Sequence, residues 1–339
     1  MLEMLKLLVL GNGKIINLMK SKILPIRGDA SFRKFYRFIS KKNKIIITAK
    51  REKYKNLVAY LAINRFLRNK KILAPKLYGI NFAKGIMVIE DFGDSSFYNL
   101  IIKRKNKFPI YKKLVDLLIK IQKIKPKYKI RSFVNKIHKI EKYSKKYLFK
   151  ESDLFFEWYL PLFLSNKKAI HVKKKAKKIF TSLYNKINFP NSYFVHRDYH
   201  LQNLMKVGNK IGVLDSQDAL IGNPAYDLVS LIDDVRIKNS IELKNKIYSY
   251  YLKNTLKTHR VNKGKFLEDF NILSVQRTLK IIGIFSRLYK RDGKQKYLKF
   301  IPYAWQILEI RLNSEIFSEL KKFLDKNIPK KYRKKIISK

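Results

Sequence analysis

The spacing of apolar residues changes once along this chain, near residue 94, and that change limits the folds open to it. Before that point, runs such as KIIITAK (44–50) and KGIMVIEDFG (84–93) are β-branched or alternate between apolar and polar residues, which predicts strands. Residues 51–70 are the exception, because their apolar residues recur at helical spacing. Beyond residue 94 helical spacing dominates. The predicted fold is therefore α+β, with a small sheet followed by a larger, mainly helical part.

Several further segments complete this prediction. SFRKFYRFIS (31–40) and KIIITAK are expected to form a hairpin through KKN, and APKLYGIN (74–81) is expected to form another strand. The first ten residues, MLEMLKLLVL, are expected to form an amphipathic helix, and the basic tail 329–339 is expected to be frayed. The helices predicted after residue 94 are YKKLVDLLIKIQKI (111–124), LFFEWYLPLFL (154–164), HVKKKAKKIFTSLYNKI (171–187), PAYDLVSLIDDV (224–235), LEDFNILSVQRTLKIIGIFSRLY (267–289) and a last one near 303–325.

The charge balance is strongly basic, with 77 Lys and Arg against 25 Asp and Glu and a formal net charge of +52. Such an excess is typical of proteins that bind nucleic acids or anionic membranes. The Lys residues are scattered along the whole chain, together with many Ile, Asn, Tyr and Phe, which favours codon bias and a solvated surface over a dedicated nucleic-acid face. No obligate nucleic-acid partner is therefore predicted.

Two absences in the sequence limit the class of protein further. The 339 residues contain no cysteine, which excludes disulfides and thiolate chemistry. They contain no apolar run of 18 residues, so no transmembrane segment is predicted. A cytoplasmic location is expected, and the oligomeric state is left open.

The segment HRDYHLQN (196–203) lies between two short apolar runs, and the second run ends in Asp215. Phosphoryl transfer needs one carboxylate to meet the acceptor hydroxyl and hard oxygen ligands to hold magnesium. Asp198 can supply the first, and Asn203 and Asp215 the second, in the Asp-x4-Asn spacing of a kinase catalytic loop. His196 is predicted to brace the loop by hydrogen bonding. Each residue alone is more often a turn or cap residue, so the functional interpretation depends on their joint spacing.

The stretch VHRDYHLQNLM…GVLDSQDALIGNPAYDLVSL resembles the aminoglycoside phosphotransferase and choline kinase superfamily. The resemblance implies a protein-kinase-like bilobal fold: a small antiparallel β-sheet N-lobe at 1–92, which holds the nucleotide phosphates, and a larger helical C-lobe at 93–339, together one phosphotransferase domain. It also implies ATP and Mg²⁺ as cofactors, and that Asp227 supports the catalytic loop. The alternative for Asp227 is an ordinary acid in the first turn of a helix. The family pattern falls here on His196, Asp198, Asn203, Asp215, Pro224 and Asp227.

A narrower resemblance covers about Gly28 to Lys294. It is to the anomeric sugar kinases that phosphorylate N-acetylmuramic acid and N-acetylglucosamine at C1 during peptidoglycan recycling. Three departures stand out: Ser216 replaces an aromatic residue, Thr278 replaces a His, and TAKRE (48–52) stands where DAPPE is expected. They bear on the sugar specificity and on details of the nucleotide pocket. The blocks that carry the resemblance are GDASFRKFYRF (28–38), VIEDFGD (88–94), LFFEWYL (154–160), HRDYHLQNLM, GVLDSQDA (212–219) and QRTLKIIGIFSRLYKRDGK (276–294).

The nucleotide is expected to contact the first part of the chain. The family resemblance implies that Gly28 opens the phosphate loop; Ser31 can donate its hydroxyl to a phosphate, although a turn serine is the alternative. Lys50 stands where a phosphate-neutralising Lys is expected. Glu90 and Asp91 end a predicted strand, where backbone groups can read the adenine edge and the side chains can cap the next segment.

The acceptor is expected to contact the helical part. Asp153 and Glu157 are four residues apart and lie on one side of a helix beside Trp158, which suits sugar hydroxyls and a ring face. Arg277, on a later helix, can meet an anionic substituent. The alternative is that the aromatic residues are core and that the charged residues are solvated or form salt bridges.

Three functions follow from these observations. The first, which the narrower resemblance implies, is an ATP- and Mg²⁺-dependent small-molecule kinase that phosphorylates the anomeric C1 hydroxyl of an N-acetylated amino sugar. The second is an aminoglycoside or choline-type kinase, whose cationic acceptor calls for an acidic cleft that this basic chain supplies poorly. The third is an inactive kinase-like protein that binds nucleic acid or a membrane surface, against which the complete set of Asp198, Asn203 and Asp215 argues.

Overall fold

The computed structural model describes residues 8–9, 15–16, 23–26, 33–39, 43–49, 54–133, 135–255 and 262–334. Within these ranges the chain forms two compact units. Unit 1 comprises Met1–Lys105, Lys127–Glu141 and His196–Ala219, and unit 2 comprises Asn106–Pro126, Lys142–Val195 and Leu220–Lys339. The segment with Asp198, Asn203 and Asp215 therefore belongs to unit 1. The functional lobes 1–92 and 93–339 stay a prediction.

The elements follow one another in the order that the sequence predicts, with most strands early and most helices late. The strands are β1 Leu8–Val9, β2 Ile15–Ile16, β3 Ile23–Ile26, β4 Lys34–Phe38, β5 Lys44–Thr48, β6 Leu77–Asn81, β7 Ile86–Glu90, β8 Lys129–Arg131, β9 Ile137–Lys139, β10 Tyr193–Val195, β11 Leu204–Val207, β12 Lys210–Val213 and β13 Leu220–Gly222. The α-helices are α1 Tyr54–Asn69, α2 Phe97–Ile101, α3 Phe108–Gln122, α4 Lys145–Leu154, α5 Asn166–Asn185, α6 Ala225–Ile232, α7 Ile241–Thr255, α8 Lys263–Asp292, α9 Ile301–Arg311, α10 Ser318–Asn327 and α11 Lys330–Lys334.

The main sheet of unit 1 is antiparallel, with strand order β3-β4-β5-β7-β6. The predicted hairpin is confirmed: β4 pairs with β5 from Lys34 opposite Thr48 to Phe38 opposite Lys44. The long helix α1 follows β5. The next strand along the chain, β6, lies at the edge of the sheet, because β7 pairs with both β5 and β6. This arrangement confirms the predicted fold class.

Both faces of the sheet are apolar, which explains why β5 and β7 contain continuous apolar runs, Ile45–Ile47 and Ile86–Ile89, rather than an alternating pattern. Helix α1 covers one face with three buried residues at helical spacing, Leu57, Tyr60 and Leu61. Each leucine contributes about 1.5–3 kcal/mol when its side chain leaves water. The sheet residues against α1 are Ile47, Met87 and Ile89, and those on the other face are Tyr36, Phe38, Ile46, Ile86 and Val88.

The 30-residue helix α8 runs through the core of unit 2, and most of its side chains are buried. It ends at Gly293, whose φ of +64° is the left-handed conformation that favours glycine at a helix C-terminus. Its Gly283 lies against the backbone of Leu154 and Phe155, where a Cβ atom would approach the Leu154 carbonyl carbon to 2.3 Å. The close approach of two backbones therefore requires a glycine at this position.

Three predicted helices differ in the structure. The segment Phe155–Tyr159 is a π-helix that continues α4, and Leu160–Leu162 is a 3₁₀ turn, so the helix predicted at 154–164 changes its geometry twice. The last helix predicted near 303–325 is two helices, α9 and α10. Leu8–Val9 is a strand rather than part of a helix, because it pairs with Ile15–Ile16.

The basic tail is also more ordered than its charge predicts. Residues Lys330–Lys334 form helix α11. Arg333 is 4% exposed; it donates to the carbonyl of Ile328 at 2.8 Å and pairs with Asp325 at 2.8 Å. Its guanidinium also lies over the ring of Trp305. One arginine with several acceptors and an aromatic partner therefore holds this turn in place. Among the described residues, no helix is long and apolar enough to cross a membrane.

Candidate active site

The hairpin of β11 and β12 carries two of the predicted site residues at its open end. Leu204 lies opposite Val213, and the N–H of Leu214 donates to the carbonyl of Asn203 over 2.9 Å. Asn203 immediately precedes β11, and Asp215 immediately follows Leu214. Opposite residues in an antiparallel ladder lie about 5 Å apart. The hairpin register therefore places Asp215 one residue beyond the partner of Asn203, at the same end of the hairpin.

The loop before β11 is closed by the side chain of Asn203. Its Nδ2 donates to the carbonyl of Asp198 at 3.0 Å, and the N–H of His200 donates to the same carbonyl at 2.9 Å. Because the amide nitrogen makes this bond, Oδ1 is the Asn203 atom left to coordinate a cation. This closed loop joins Asp198, whose side chain is half-buried, to Asn203 five positions later in the chain.

The imidazole of His196 joins the catalytic loop to the end of the hairpin. His196 is 1% exposed, and its Nε2 lies 2.9 Å from the carbonyl of Leu214. A carbonyl only accepts, so Nε2 carries the proton. Leu214 is therefore bonded through both of its backbone groups to the segment that contains Asp198, and this fixes the adjoining Asp215. The role of His196 as a brace of the catalytic loop stays a prediction.

Two residues of this region have a backbone conformation that is uncommon for residues with a side chain. Arg197 has φ +72° and Asp215 has φ +61°. Such conformations persist where surrounding contacts hold them, and they cluster at functional sites. Arg197 is held by a bond from its Nη1 to the carbonyl of Asp218 at 3.1 Å.

Arg33, which was not among the predicted site residues, pairs with Asp215. Its Nη2 lies 2.6 Å from Oδ1 of Asp215, and the Arg33 side chain is 4% exposed against 42% for that of Asp215. A signal was present in the sequence: SFRKFYRF places Arg33, just before β4, and Arg37, within it, on the same side as Phe35. Two cations on one partly apolar face of a strand require acidic partners when that face is covered.

The donor set at the hairpin fits magnesium that is shared with a phosphate ligand. No group of three or more His, Cys, Asp or Glu that could hold a metal ion occurs in the part of the chain that the structure describes. Asn203 and Asp215 instead offer one amide and one carboxylate oxygen, and Asp215 is accessible. Magnesium is commonly held by one or two protein carboxylates together with substrate phosphates and water. The residues present therefore suit a metal that arrives with a nucleotide.

The residues predicted to bind the nucleotide are described only in part. Gly28, Ser31 and Lys50 lie outside the described residues. Glu90, the last residue of β7, accepts a bond from the N–H of Lys76 at 3.1 Å. The Glu90 side chain therefore has a structural partner.

Asp91 has two partners in unit 1. It accepts from Nε of Arg37 at 2.6 Å and from the N–H of Gly93 at 2.8 Å. The second bond is the capping contact expected of a side chain at a strand end. Adenine recognition by the backbone at Glu90 and Asp91 stays a prediction.

The acids predicted to meet the acceptor share one cation in unit 2. Nζ of Lys173 lies 2.8 Å from Asp153 and 2.7 Å from Glu157. Burial lowers the pKa of Lys173, but the hydrogen bonds that its ammonium donates to both carboxylates outweigh burial, so the pKa is raised and the ammonium stays charged. Trp158 beside them is half-buried. Asp153 and Glu157 thus form a partly neutralised cluster rather than a free acidic surface.

Two other predicted residues are buried in unit 2. Arg277 is 4% exposed on α8, and Asp227 is 1% exposed in the first turn of α6. The burial of Asp227 is more than an ordinary first-turn acid on a solvated helix would show. Support of the catalytic loop by Asp227 and binding of an acceptor anion by Arg277 stay predictions.

Glu151 is the most enclosed of the three acids in the segment 151–157. Its carboxylate lies 2.9 Å from Nζ of Lys280 and accepts from Nε2 of Gln276 at 3.0 Å and from the hydroxyl of Tyr226 at 3.2 Å. The hydroxyl of Tyr143 also donates to it. Gln276 and Lys280 are four residues apart on α8, so helical spacing could have indicated that they share a partner.

Fold and site together define a class of protein. An antiparallel sheet with one long helix after its third main strand, a mainly helical second unit, and a loop that joins an Asp, an Asn and a second Asp are the features of a phosphotransferase with a protein-kinase-like fold.

Comparison with known proteins shows the family to which the chain belongs. A model described as the phosphotransferase enzyme family matches residues 22–260, and the chain belongs to this family. The N-acetylmuramate/N-acetylglucosamine kinase of Caulobacter vibrioides is 30% identical over 281 residues, 81% of this chain and 76% of that protein. The enzyme of the same name from Pseudomonas aeruginosa is 26% identical over 292 residues, 85% and 83% of the two chains. The resemblance seen in the sequence motifs is confirmed.

Solved structures agree on the fold. The ADP-bound crystal structure of an aminoglycoside phosphotransferase matches with a TM-score of 0.59 and 15% identity, over 88% of this chain and 95% of that one. A choline/ethanolamine kinase family protein from Mesorhizobium loti matches with a TM-score of 0.60 and 12% identity, over 90% and 92%. The protein is therefore an enzyme, a phosphotransferase that acts as a sugar kinase.

Proposed function

We propose that this enzyme transfers the γ-phosphoryl group of ATP to the C1 hydroxyl of an N-acetylated amino sugar, with magnesium as the metal. The observation that carries the proposal is the pair of bonds through Leu214, one from His196 and one to Asn203. These bonds hold the carboxylate of Asp198 and the two candidate metal ligands on one short structure. The names of the relatives, at 26–30% identity, support an amino sugar as the acceptor.

Each side chain has a distinct task in this reaction. Asp198 accepts a hydrogen bond from the sugar hydroxyl, orients its oxygen towards the γ-phosphorus and takes its proton as the new O–P bond forms. The bond from the γ-phosphorus to the bridging oxygen breaks, and ADP leaves. Asn203 and Asp215 hold magnesium, which when bound neutralises charge on the phosphates. His196 keeps the loop in register and does not react.

The charge around the candidate acceptor residues supports a neutral or anionic acceptor over a cationic one. Lys173 forms ion pairs with both Asp153 and Glu157, and Lys280 forms an ion pair with Glu151. A cationic drug or choline would have to compete with these ammonium groups. This observation favours the amino sugar over the aminoglycoside or choline-type alternative.

The proposal is tested by a transfer assay with a panel of acceptors. ADP formation is measured with N-acetylmuramate, N-acetylglucosamine, other hexoses, choline and aminoglycosides. Turnover with an N-acetylated amino sugar, and loss of its reducing end on phosphorylation, is the expected result. The methyl glycoside of N-acetylglucosamine has no free C1 hydroxyl and serves as the matched control. Turnover of that glycoside would exclude transfer to C1.

Two other outcomes would redirect the assignment. Preferred turnover of choline or an aminoglycoside would make the chain a kinase of that type. Salt-dependent affinity for DNA or for anionic vesicles, together with no ADP formation by any acceptor, would support the inactive kinase-like binder.

A further inference from the structure

The guanidinium of Arg33 is packed between aromatic rings in unit 1. It lies over the ring of Phe35, with 5.5 Å from Cζ to the ring centroid, and over the ring of Tyr60 at 5.6 Å. Nη1 lies 3.4 Å from Oε1 of Gln217. Burial raises the pKa of Tyr60 to about 12, so its ring remains a neutral partner. Another edge of the guanidinium meets the carboxylate of Asp215.

The carboxylate of Asp215 cannot pair with Arg33 and coordinate a magnesium ion equally well. The Arg33–Asp215 contact of 2.6 Å uses Oδ1 of the carboxylate assigned to the metal. A divalent cation bound there would repel a guanidinium at this distance unless another anion came between them. The triphosphate of a nucleotide is such an anion, and its oxygens match the planar fork of an arginine.

The helix that follows β5 contains no acidic residue that could position a phosphate-binding lysine. In protein kinases a strand lysine is positioned by a glutamate of the helix that follows. Helix α1, Tyr54–Asn69, occupies that place after β5 and contains no Asp or Glu. It contributes Tyr60 to the packing around Arg33 instead. Glu52, just before the helix, lies outside the described residues.

We propose that Arg33 is a nucleotide-binding residue that exchanges partners: it pairs with Asp215 when metal and nucleotide are absent and contacts the terminal phosphates when they are bound. The inference rests on the proposed nucleotide-dependent function. Asp215 is thereby held in place before the metal arrives, and metal binding without nucleotide is opposed. Nucleotide and metal should consequently bind together rather than in sequence.

The test uses the full chain without any sugar. Arg33→Met keeps the aliphatic stem between the two rings and removes the charge. Calorimetry with ADP in EDTA measures nucleotide binding, and electron paramagnetic resonance of Mn²⁺ measures metal binding without nucleotide. We expect Arg33→Met to weaken ADP about 10-fold or more and to tighten Mn²⁺ about 3- to 10-fold. Adenosine, which has no phosphate, should bind equally to both proteins.

The control variant is Arg65→Met. Arg65 also lies in unit 1 and over an aromatic ring, that of Phe133, and donates to the carbonyl of Ser132. Arg65→Met should change neither the binding of Mn²⁺ nor the binding of ADP. If Arg33→Met weakens Mn²⁺ as well as ADP, Arg33 only tethers Asp215 and the exchange is excluded. Unchanged binding of ADP or of Mn²⁺ would also overturn it.

A second variant covers the case in which Arg33→Met does not fold. Asp215→Asn releases Arg33 without removing it, and ADP binding in EDTA should tighten about 3-fold or more; equal or weaker binding contradicts the inference. The double variant Asp215→Asn with Arg33→Lys should lose most of the increase in ADP affinity that is expected for Asp215→Asn alone. Failure of the natural chain to bind ADP both in EDTA and with added Mg²⁺ would reject the nucleotide-dependent function itself. ADP binding that is insensitive to Arg33 would reject only the partner exchange.

Discussion

The hydroxyl of Ser216 donates a hydrogen bond of 3.2 Å to the amide oxygen of Asn64, and both side chains are buried. Ser216 follows the candidate metal ligand Asp215, at a position where the sequence resemblance implies an aromatic residue. Asn64 lies on α1 and donates in turn to the carbonyl of Pro75 at 3.4 Å. A polar link therefore takes the place of a packed ring between this loop and the helix.

The first prediction concerns this link. Ser216→Ala leaves the Asn64 oxygen buried without its donor, which should lower the free energy of unfolding by about 1–3 kcal/mol and weaken metal binding. Urea denaturation and Mn²⁺ titration measure the two effects. Ser192→Ala is the matched control, because Ser192 is exposed, and it should change stability by about 0.5 kcal/mol or less. Equal stability of the two variants would show that the link contributes nothing.

Asp198 is predicted to act in the chemical step. Asp198→Asn keeps the shape of the loop but removes the proton acceptor, so kcat should fall about 10²- to 10⁴-fold with little change in ADP affinity. The exposed Asp218, in the segment after Asp215, provides the control Asp218→Asn. That variant should retain most of its turnover. Undiminished turnover by Asp198→Asn would remove the assigned base.

Arg277 is predicted to distinguish an anionic from a neutral amino sugar. N-acetylmuramate carries a carboxylate that N-acetylglucosamine lacks, and a buried guanidinium that binds it should favour the first sugar. Arg277→Gln should lower the ratio of kcat/KM for the two sugars about 10-fold. The control is Arg291→Gln on the same helix, since Arg291 is exposed and pairs with Asp292. An unchanged ratio in both variants would assign Arg277 to packing alone.

Gly283 should tolerate no side chain. Its added Cβ would lie 2.3 Å from the carbonyl carbon of Leu154, and a backbone cannot move aside as a flexible side chain can. Gly283→Ala should therefore cost about 1–3 kcal/mol or more of stability. The control is Gly264→Ala near the start of the same helix, where the added Cβ would meet only Oδ1 of Asn262, at 3.4 Å. Thermal unfolding should show Gly264→Ala to be neutral or slightly stabilising.

Asp233 gives a prediction about acid stability. Burial raises its pKa, but the charges of Arg311 and Lys244 and a hydrogen bond from Ser274 outweigh burial and lower the pKa to about 2. A carboxyl with a depressed pKa stabilises the fold above its ordinary pKa, and this stabilisation is lost as the pH falls from about 4 to about 2. Unfolding free energies measured between about pH 5 and about pH 2.5 should show this loss.

Asp233→Asn should abolish that part of the pH dependence. At neutral pH it leaves the largely buried cations of Lys244 and Arg311 without their anion and should cost about 3–5 kcal/mol. Asp116→Asn is the control, because Asp116 is an exposed acid of unit 2 that accepts a bond from Tyr250; it should cost about 1 kcal/mol or less. An acid-unfolding profile of Asp233→Asn parallel to that of the natural chain would contradict the assignment.

Local chemistry explains what could be predicted from the sequence. The β4–β5 hairpin, the helix α1 and the long helix α8 follow from periodicity, since each depends on residues a few positions apart. The spacing of Asp198, Asn203 and Asp215 indicated a kinase loop because a short hairpin brings such residues together. By contrast, the start of the π-helix at Phe155 lies against Gly283 of α8, and Arg333 lies over the ring of Trp305; both contacts join residues that are far apart in the chain.

The sequence by itself determined the order of the elements, the family and the three oxygen-bearing residues proposed for the site. Only the tertiary structure decided which side chains accompany them. Arg33 and Asp215 are 182 positions apart, and Asn64 and Ser216 are 152 positions apart. A periodic pattern contains no information about such pairs, because it relates only residues that are close in the chain. The packing of unit 1 brings these partners together, and burial then enforces the pairing, because a charge or polar group removed from water without a partner is too costly to keep.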